Sequence, residues 1–205
     1  MKLSGIIVII IVAVVLTIGF YSLSPGSGNE EYKAGLIAER AQKDEFMRTS
    51  DESPFGDERK NFTSLKYFEP DPTYRINADL QPIENKKVVV LPTSSGEQNT
   101  YLEYGWAEFE WKGVKNRLLV VEIMAMGPTR GTLFLAFADE TSAKETYGAG
   151  RYLDLKKIPG AGTLVLDFNK AYNPYCAYND AYSCPFPPKE NVLKIPILAG
   201  EKTYH

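Results

Sequence analysis

The sequence predicts a mainly β domain of the α+β class, a single antiparallel β-barrel or sandwich with an N-terminal amphipathic helix, preceded by one transmembrane helix. Three observations lead there. From Tyr74 onward, runs rich in Val, Ile, Leu, Tyr and Phe recur with short polar turns between them. Ahead of them, residues 30–49 carry apolar side chains at helical spacing among Ala, Glu, Lys, Arg and Gln. At the start of the chain, no charged side chain occurs from Leu3 to Leu23.

That first run of about 21 residues, at roughly 1.5 Å each, spans about 31 Å and matches a hydrocarbon core of about 30 Å. A cleaved signal peptide competes with it, since Lys2 precedes the run and Ser22-Leu23-Ser24 offers a small-x-small site, although Pro25 then follows the cut awkwardly. Residues 1–23 therefore read as a transmembrane anchor or signal peptide, 24–29 as a linker and 30–205 as one β-rich domain. The expected membrane partner is met through a single span. A slight charge asymmetry, Lys2 against Lys33 and Arg40, together with the Cys pair, places the domain on the periplasmic or extracellular side.

In the helix, Asn29 is a candidate cap, Glu30 and Glu31 suit the first turn, and Tyr32, Leu36, Ile37, Phe46 and Met47 form the face that docks on the domain. Ser50 to Pro72 is irregular, with Phe55, Phe62, Tyr67 and Phe68 as anchors along a wrapping segment. About eight strands are expected: Tyr74 to Leu80, Val88 to Leu91, Tyr101 to Trp111, Leu118 to Met126, Leu133 to Ala138, Arg151 to Asp154, Leu164 to Phe168 and Val192 to Leu198. Ser94-Ser95-Gly96 and Lys112-Gly113 are turns of a meander. The large residues change phase within Tyr101 to Trp111, which predicts a bulge near Gly105 or Ala107. Leu118 to Met124 is apolar on both faces except for Glu122, as in a central strand; Glu122 itself reads as an edge or ion-paired carboxylate ahead of a catalytic one.

Composition removes several chemistries. A net charge of -3 and a pI near 5.4 provide no basic face for nucleic acid. The single His is the terminal His205, so His-based triads, multi-His zinc sites and His-ligated iron have no donor within the fold. Without a Gly-rich phosphate loop or a ligand cluster, neither a cofactor nor a metal is predicted.

The C-terminal half carries the strings Phe137-Ala138-Asp139-Glu140-Thr141-Ser142, Thr146-Tyr147-Gly148-Ala149-Gly150-Arg151-Tyr152-Leu153, Leu166-Asp167-Phe168-Asn169-Lys170-Ala171-Tyr172-Asn173-Pro174-Tyr175-Cys176-Ala177-Tyr178, Cys184-Pro185-Phe186-Pro187-Pro188-Lys189-Glu190-Asn191 and Ala199-Gly200-Glu201. In this it resembles the bacterial and archaeal family catalogued as domain of unknown function 1684, over Glu30 to Glu201 and most strongly from Phe134 onward. The resemblance names a family without naming a reaction.

Asp139 and Asp167 end apolar runs and Arg151 opens another, so strand ends could bring all three to one rim, as a structural brace ahead of a catalytic group. Asn169, Tyr172 and Asn173 either add donors to a pocket there or satisfy a tight loop before Pro174. Cys176 and Cys184 enclose a short loop, and in an oxidising compartment a disulfide leads over a zinc site, which would need Asp180 or a second chain. Two functions remain. One is a binding or envelope-accessory module holding a small molecule, glycan or partner segment. The other is a hydrolase-like enzyme that uses Glu122, Asp139 or Asp167 around Arg151.

Overall fold

The computed structural model describes residues 27–205. Helix α1 (Ser27–Thr49) precedes seven strands: β1 (Arg75–Pro82), β2 (Val88–Pro92), β3 (Gln98–Trp111), β4 (Val114–Ile123), β5 (Leu133–Phe137), β6 (Arg151–Leu155) and β7 (Thr163–Asp167). They form one antiparallel sheet in the order β6-β5-β4-β3-β1-β7, with β2 pairing on β3. The sheet curves into an open half-barrel. This corrects the expected closed barrel or sandwich.

The local chemistry explains the meander. Lys112 and Gly113 both take positive φ, 49° and 81°, as a two-residue turn between paired Trp111 and Val114 requires. The β3–β4 register shifts between Glu103 and Gly105, so Tyr104 is the extra residue of a bulge. Gly105 is needed beside it, because a Cβ there would lie 2.8 Å from the Gln81 carbonyl of β1. Strand β4 is covered on both faces: Leu118 and Val120 join the main core, Leu119 and Val121 a second cluster with Tyr101, Phe134 and Tyr152.

The reason the barrel stays open lies in the expected eighth strand. Residues 192–199 alternate in burial, with Leu193, Ile195, Ile197 and Ala199 filling the main core. Yet only an isolated bridge, Ala138 with Val192, joins this segment to the sheet. Pro196 removes one ladder donor, and the carbonyls of Ile197, Ala199 and Glu201 are taken by the Arg151 guanidinium instead of by a strand.

Helix α1 starts earlier than its expected cap: Asn29 lies inside the first turn, and Ser27 to Asn29 are helix rather than linker. Its inner face is only partly apolar. Leu36 and Met47 are buried, Ile37 is exposed, and Tyr32, Arg40 and Lys43 make polar contacts with the body. Met47 packs with Phe62 and Leu65, with Phe55 and Tyr67 of the wrapping segment alongside.

The expected transmembrane helix falls on residues 1–23, outside the described residues. Among the described residues, no helix is long and apolar enough to cross a membrane. The single-span membrane partner and the anchored, extracytoplasmic placement rested on residues 1–23, and no described helix supports them. Helix α1 has the length, but Glu30, Glu31, Lys33, Glu39, Arg40, Lys43, Asp44, Glu45 and Arg48 make it far too polar for hydrocarbon.

Candidate functional site

The residues expected on one rim divide among three hydrogen-bond networks, of which the first and third meet at Glu201. At the first, Arg151 opens β6 and is 1% exposed. Its Nη2 donates to Asp139 Oδ2 at 2.9 Å and to the Ile197 carbonyl at 3.0 Å; Nη1 donates to the carbonyls of Ala199 and, at 3.2 Å, Glu201. Asp139 Oδ1 accepts from the Thr141 N–H at 2.8 Å, the Thr141 hydroxyl at 2.6 Å and the Ile197 N–H at 3.3 Å. Burial weakens the guanidinium's hold on its proton while Asp139 strengthens it. Both oxygens of Asp139 are occupied and both Nη atoms of Arg151 donate, while its Nε is buried without a partner; neither group faces solvent, so the pair holds the C-terminal segment in place out of reach of a substrate.

The second network joins α1 to the end of β7. Asp167 caps the 3-10 turn Phe168–Lys170, and its Oδ1 accepts from the Tyr32 hydroxyl at 2.6 Å and the Asn169 N–H at 3.2 Å. Asn169 then grips the wrapping segment: its Nδ2 donates to the Asp71 carbonyl at 2.8 Å and its Oδ1 accepts from the Asp71 N–H at 2.9 Å. Burial first, then the Asp167 carboxylate, push the Tyr32 phenol above its ordinary range.

The third network centres on Glu201, fully buried and absent from the candidates that the sequence suggests. It accepts from Lys43 Nζ at 3.0 Å, from Asn173 Nδ2 at 2.9 Å and from the Tyr178 hydroxyl. A signal for it does exist. Glu201 occupies the next inward position of the series Leu193, Ile195, Ile197, Ala199, so period-2 alternation aims it at the core. Gly200 makes that approach possible: its φ is +77°, and a Cβ would meet the Ala171 and Phe168 carbonyls at 2.6 and 2.7 Å.

Glu122 stands apart from all three, 3.6 Å from Lys157 Nζ at a partly exposed position. Its partner is a lysine, which fits the ion-paired carboxylate expected there. Tyr172 donates its hydroxyl to Asp154 at 3.0 Å and sets its ring edge-on to Tyr152. Among the candidates, Asn169 and Tyr172 line a concavity. It is a groove of about 180 Å³ between α1 and residues 169–172, also bordered by Arg40, Lys43, Tyr67 and Lys170.

Cys176 and Cys184 are free thiols, which corrects the expected disulfide. Their separation is 3.0 Å, well beyond the roughly 2.05 Å of a bonded pair, and the Cys176 N–H donates to Cys184 Sγ at 3.1 Å. A hydrogen bond between the two sulfurs favours the thiolate at Cys176 and the thiol at Cys184. Cys176 is held down to about 6, first by the hydrogen bond from Cys184, against the opposing effect of burial, with Tyr147 adding a weaker donor. Cys184 is pushed up by the same hydrogen bond.

A pH titration of thiolate absorbance should therefore show one thiolate per chain with a midpoint about 6, and Cys184→Ala, which deletes the donor, should return Cys176 toward the ordinary thiol value of about 9. Two thiols titrating together near that ordinary value would refute the arrangement. Between about 6 and 9 the folded chain binds fewer protons at Cys176 than the unfolded chain, so stability should rise with pH across this window. Above it, Cys184 acts in the opposite sense, because the folded chain then retains a proton that the unfolded chain loses.

Comparison with known proteins places this architecture. The model of a family described as "Protein of unknown function (DUF1684)" matches residues 60–202. The solution NMR structure of an uncharacterized protein of Haloarcula marismortui is similar at 37% sequence identity and a TM-score of 0.66, covering 86% of this chain and 97% of that one. No curated protein matches. With more than half of its length inside the family model, the chain belongs to the family of proteins of unknown function designated DUF1684.

Proposed function

We propose that this chain is a non-catalytic binding module for a small molecule, and that its site is the groove between α1 and residues 169–172. One observation carries the reading. Arg40, half-buried on the groove wall, donates only to the neutral carbonyls of Phe68, at 2.8 Å, and Asn169, at 3.3 Å, and its Nε has no partner among the described residues. The guanidinium stacks 4.5 Å from the Tyr67 ring, whose buried hydroxyl is likewise without a partner. Both of those atoms are buried, so what Arg40 brings to the groove wall is a guanidinium whose charge no carboxylate matches within ion-pair distance among the described residues.

The hydrolase-like reading is less favoured. Glu122, Asp139 and Asp167 share no hydrogen-bond or ion-pair partner, and Arg151 is consumed in bracing the C-terminal segment. An acid and base must reach one substrate atom, and these carboxylates belong to different networks.

Amide chemical-shift mapping of the purified protein against a fragment library tests the groove. Shifts should cluster at Tyr67 and residues 169–172, together with the facing turns of α1. A library that perturbs no residue there, or that maps consistently to another surface, overturns the proposal.

A further inference from the structure

We propose that the groove takes a small organic anion, a carboxylate or phosphate monoester on an apolar or aromatic group, and that Glu39 competes for its anionic end. The inference rests on the groove being a binding site and adds the chemical class of its ligand.

Charge is the first argument. Arg40, Lys43 and Lys170 border the groove, against the single bordering carboxylate Glu39. The three cations are not equally engaged. Lys43 is paired with buried Glu201 at 3.0 Å, which uses one of its three ammonium hydrogens. Lys170 meets Glu39 at 2.7 Å, but both side chains are about half exposed, 45% and 56%, where an ion pair contributes on the order of 0–1 kcal/mol. Arg40 has no carboxylate within ion-pair distance among the described residues; Glu69 and Asp167 act on it only from farther away. A partly buried guanidinium whose acceptors are all neutral carries uncompensated charge, and an entering anion would supply the missing counter-charge.

Shape and surface supply the second argument. Leu36 and the rings of Tyr67 and Tyr172 line the groove beside the cations, so the ligand needs an apolar part as well as a charge. A volume of about 180 Å³ lies below the roughly 300 Å³ at which drug-sized sites begin, which restricts the occupant to a small molecule. The Lys43 ammonium already lies 5.0 Å from the Tyr172 ring centroid, so cation and aromatic surface are presented together. The exposed Glu39 carboxylate can swing to solvent and release Lys170 to the ligand at little cost.

The test uses the full chain and four matched probes: benzoate, phenyl phosphate, benzyl alcohol and benzylamine, each followed by amide shifts at residues 169–172. Benzoate or phenyl phosphate should bind at least about 10-fold more tightly than benzyl alcohol, and the difference should shrink as salt is added. Whichever of the two binds more tightly identifies the anion. Glu39→Gln should raise the anion-to-alcohol affinity ratio about 2- to 5-fold, Lys170→Gln should lower it by a similar factor, and Lys170→Arg should restore it.

Thermal melting of each variant establishes that it is folded; both positions are exposed. Benzyl alcohol binding in the groove as tightly as the anions would overturn the anion inference and leave the binding site standing. Groove amides unmoved by all four probes would overturn both. An unchanged ratio in Glu39→Gln would overturn the competitor role.

Discussion

Arg151→Ala should remove about 3–5 kcal/mol of folding stability, the largest single-residue loss expected outside the main core. Three effects add. The Asp139 carboxylate, with a side chain 1% exposed, loses its counter-charge in a low-dielectric setting. The carbonyls of Ile197, Ala199 and Glu201 lose their donor while remaining buried. The space left beside Phe137, whose ring centroid lies 5.3 Å from the guanidinium carbon, cannot easily refill.

Urea unfolding should show a lower midpoint at an unchanged slope, and amide exchange should accelerate selectively at residues 197–201. Arg151→Lys should recover under half of the loss, because one ammonium cannot reproduce a planar fork that reaches a carboxylate and three carbonyls. If the alanine variant loses less than about 1 kcal/mol, the brace is not what holds the C-terminal segment.

Lys43→Met should cost about 2–3 kcal/mol, at the low end for a broken buried pair because the lysine is 28% exposed while Glu201 is 1% exposed. The loss should concentrate on α1. The helix is held by few apolar contacts, Leu36 and Met47 chief among them, and otherwise by Tyr32 on Asp167, Arg40 on two carbonyls and Lys43 on Glu201. Limited proteolysis should therefore cut α1 of the variant well before the sheet. Glu201→Gln placed in the Lys43→Met background should recover part of the stability, since Asn173 and Tyr178 can still hydrogen-bond an uncharged amide. A coupling energy below about 0.5 kcal/mol between the two positions would show that they act independently. Because Lys43 is tied to the fold in this way, the ligand-class test relies on Lys170 and Glu39.

Much of the β framework was legible because its determinants are local. The Lys112-Gly113 hairpin needs only two residues that accept left-handed backbone, and the bulge at Tyr104 announces itself as a change of phase in the large side chains. The expected strand over 192–198 shows the limit of the same logic. Its alternation correctly points Leu193, Ile195 and Ile197 inward, but alternation reports burial and not which group takes the backbone carbonyls.

The candidate site was less legible. Asp139 with Arg151 as a brace follows from strand ends, while Asp167 and Asn169 serve α1 instead of the same rim. Arg40 and Lys43 look like ordinary solvent-facing charges of a helix, and only packing against residues 67 and 169–172 turns them inward.

By itself, then, the sequence determined what short-range physics controls: the helix over most of its length, seven strand cores, two turns, a bulge and membership in a family of unknown function. Only the tertiary structure decided that the sheet stays open, that Cys176 and Cys184 remain unbonded, and that one groove collects three cations. The physical reason is the separation in sequence of the groups involved. Arg151 finds carbonyls 46–50 residues away and Lys43 finds Glu201 158 residues away. A backbone carbonyl is the same at every position, so nothing in the amino-acid alphabet marks which one a buried cation will find.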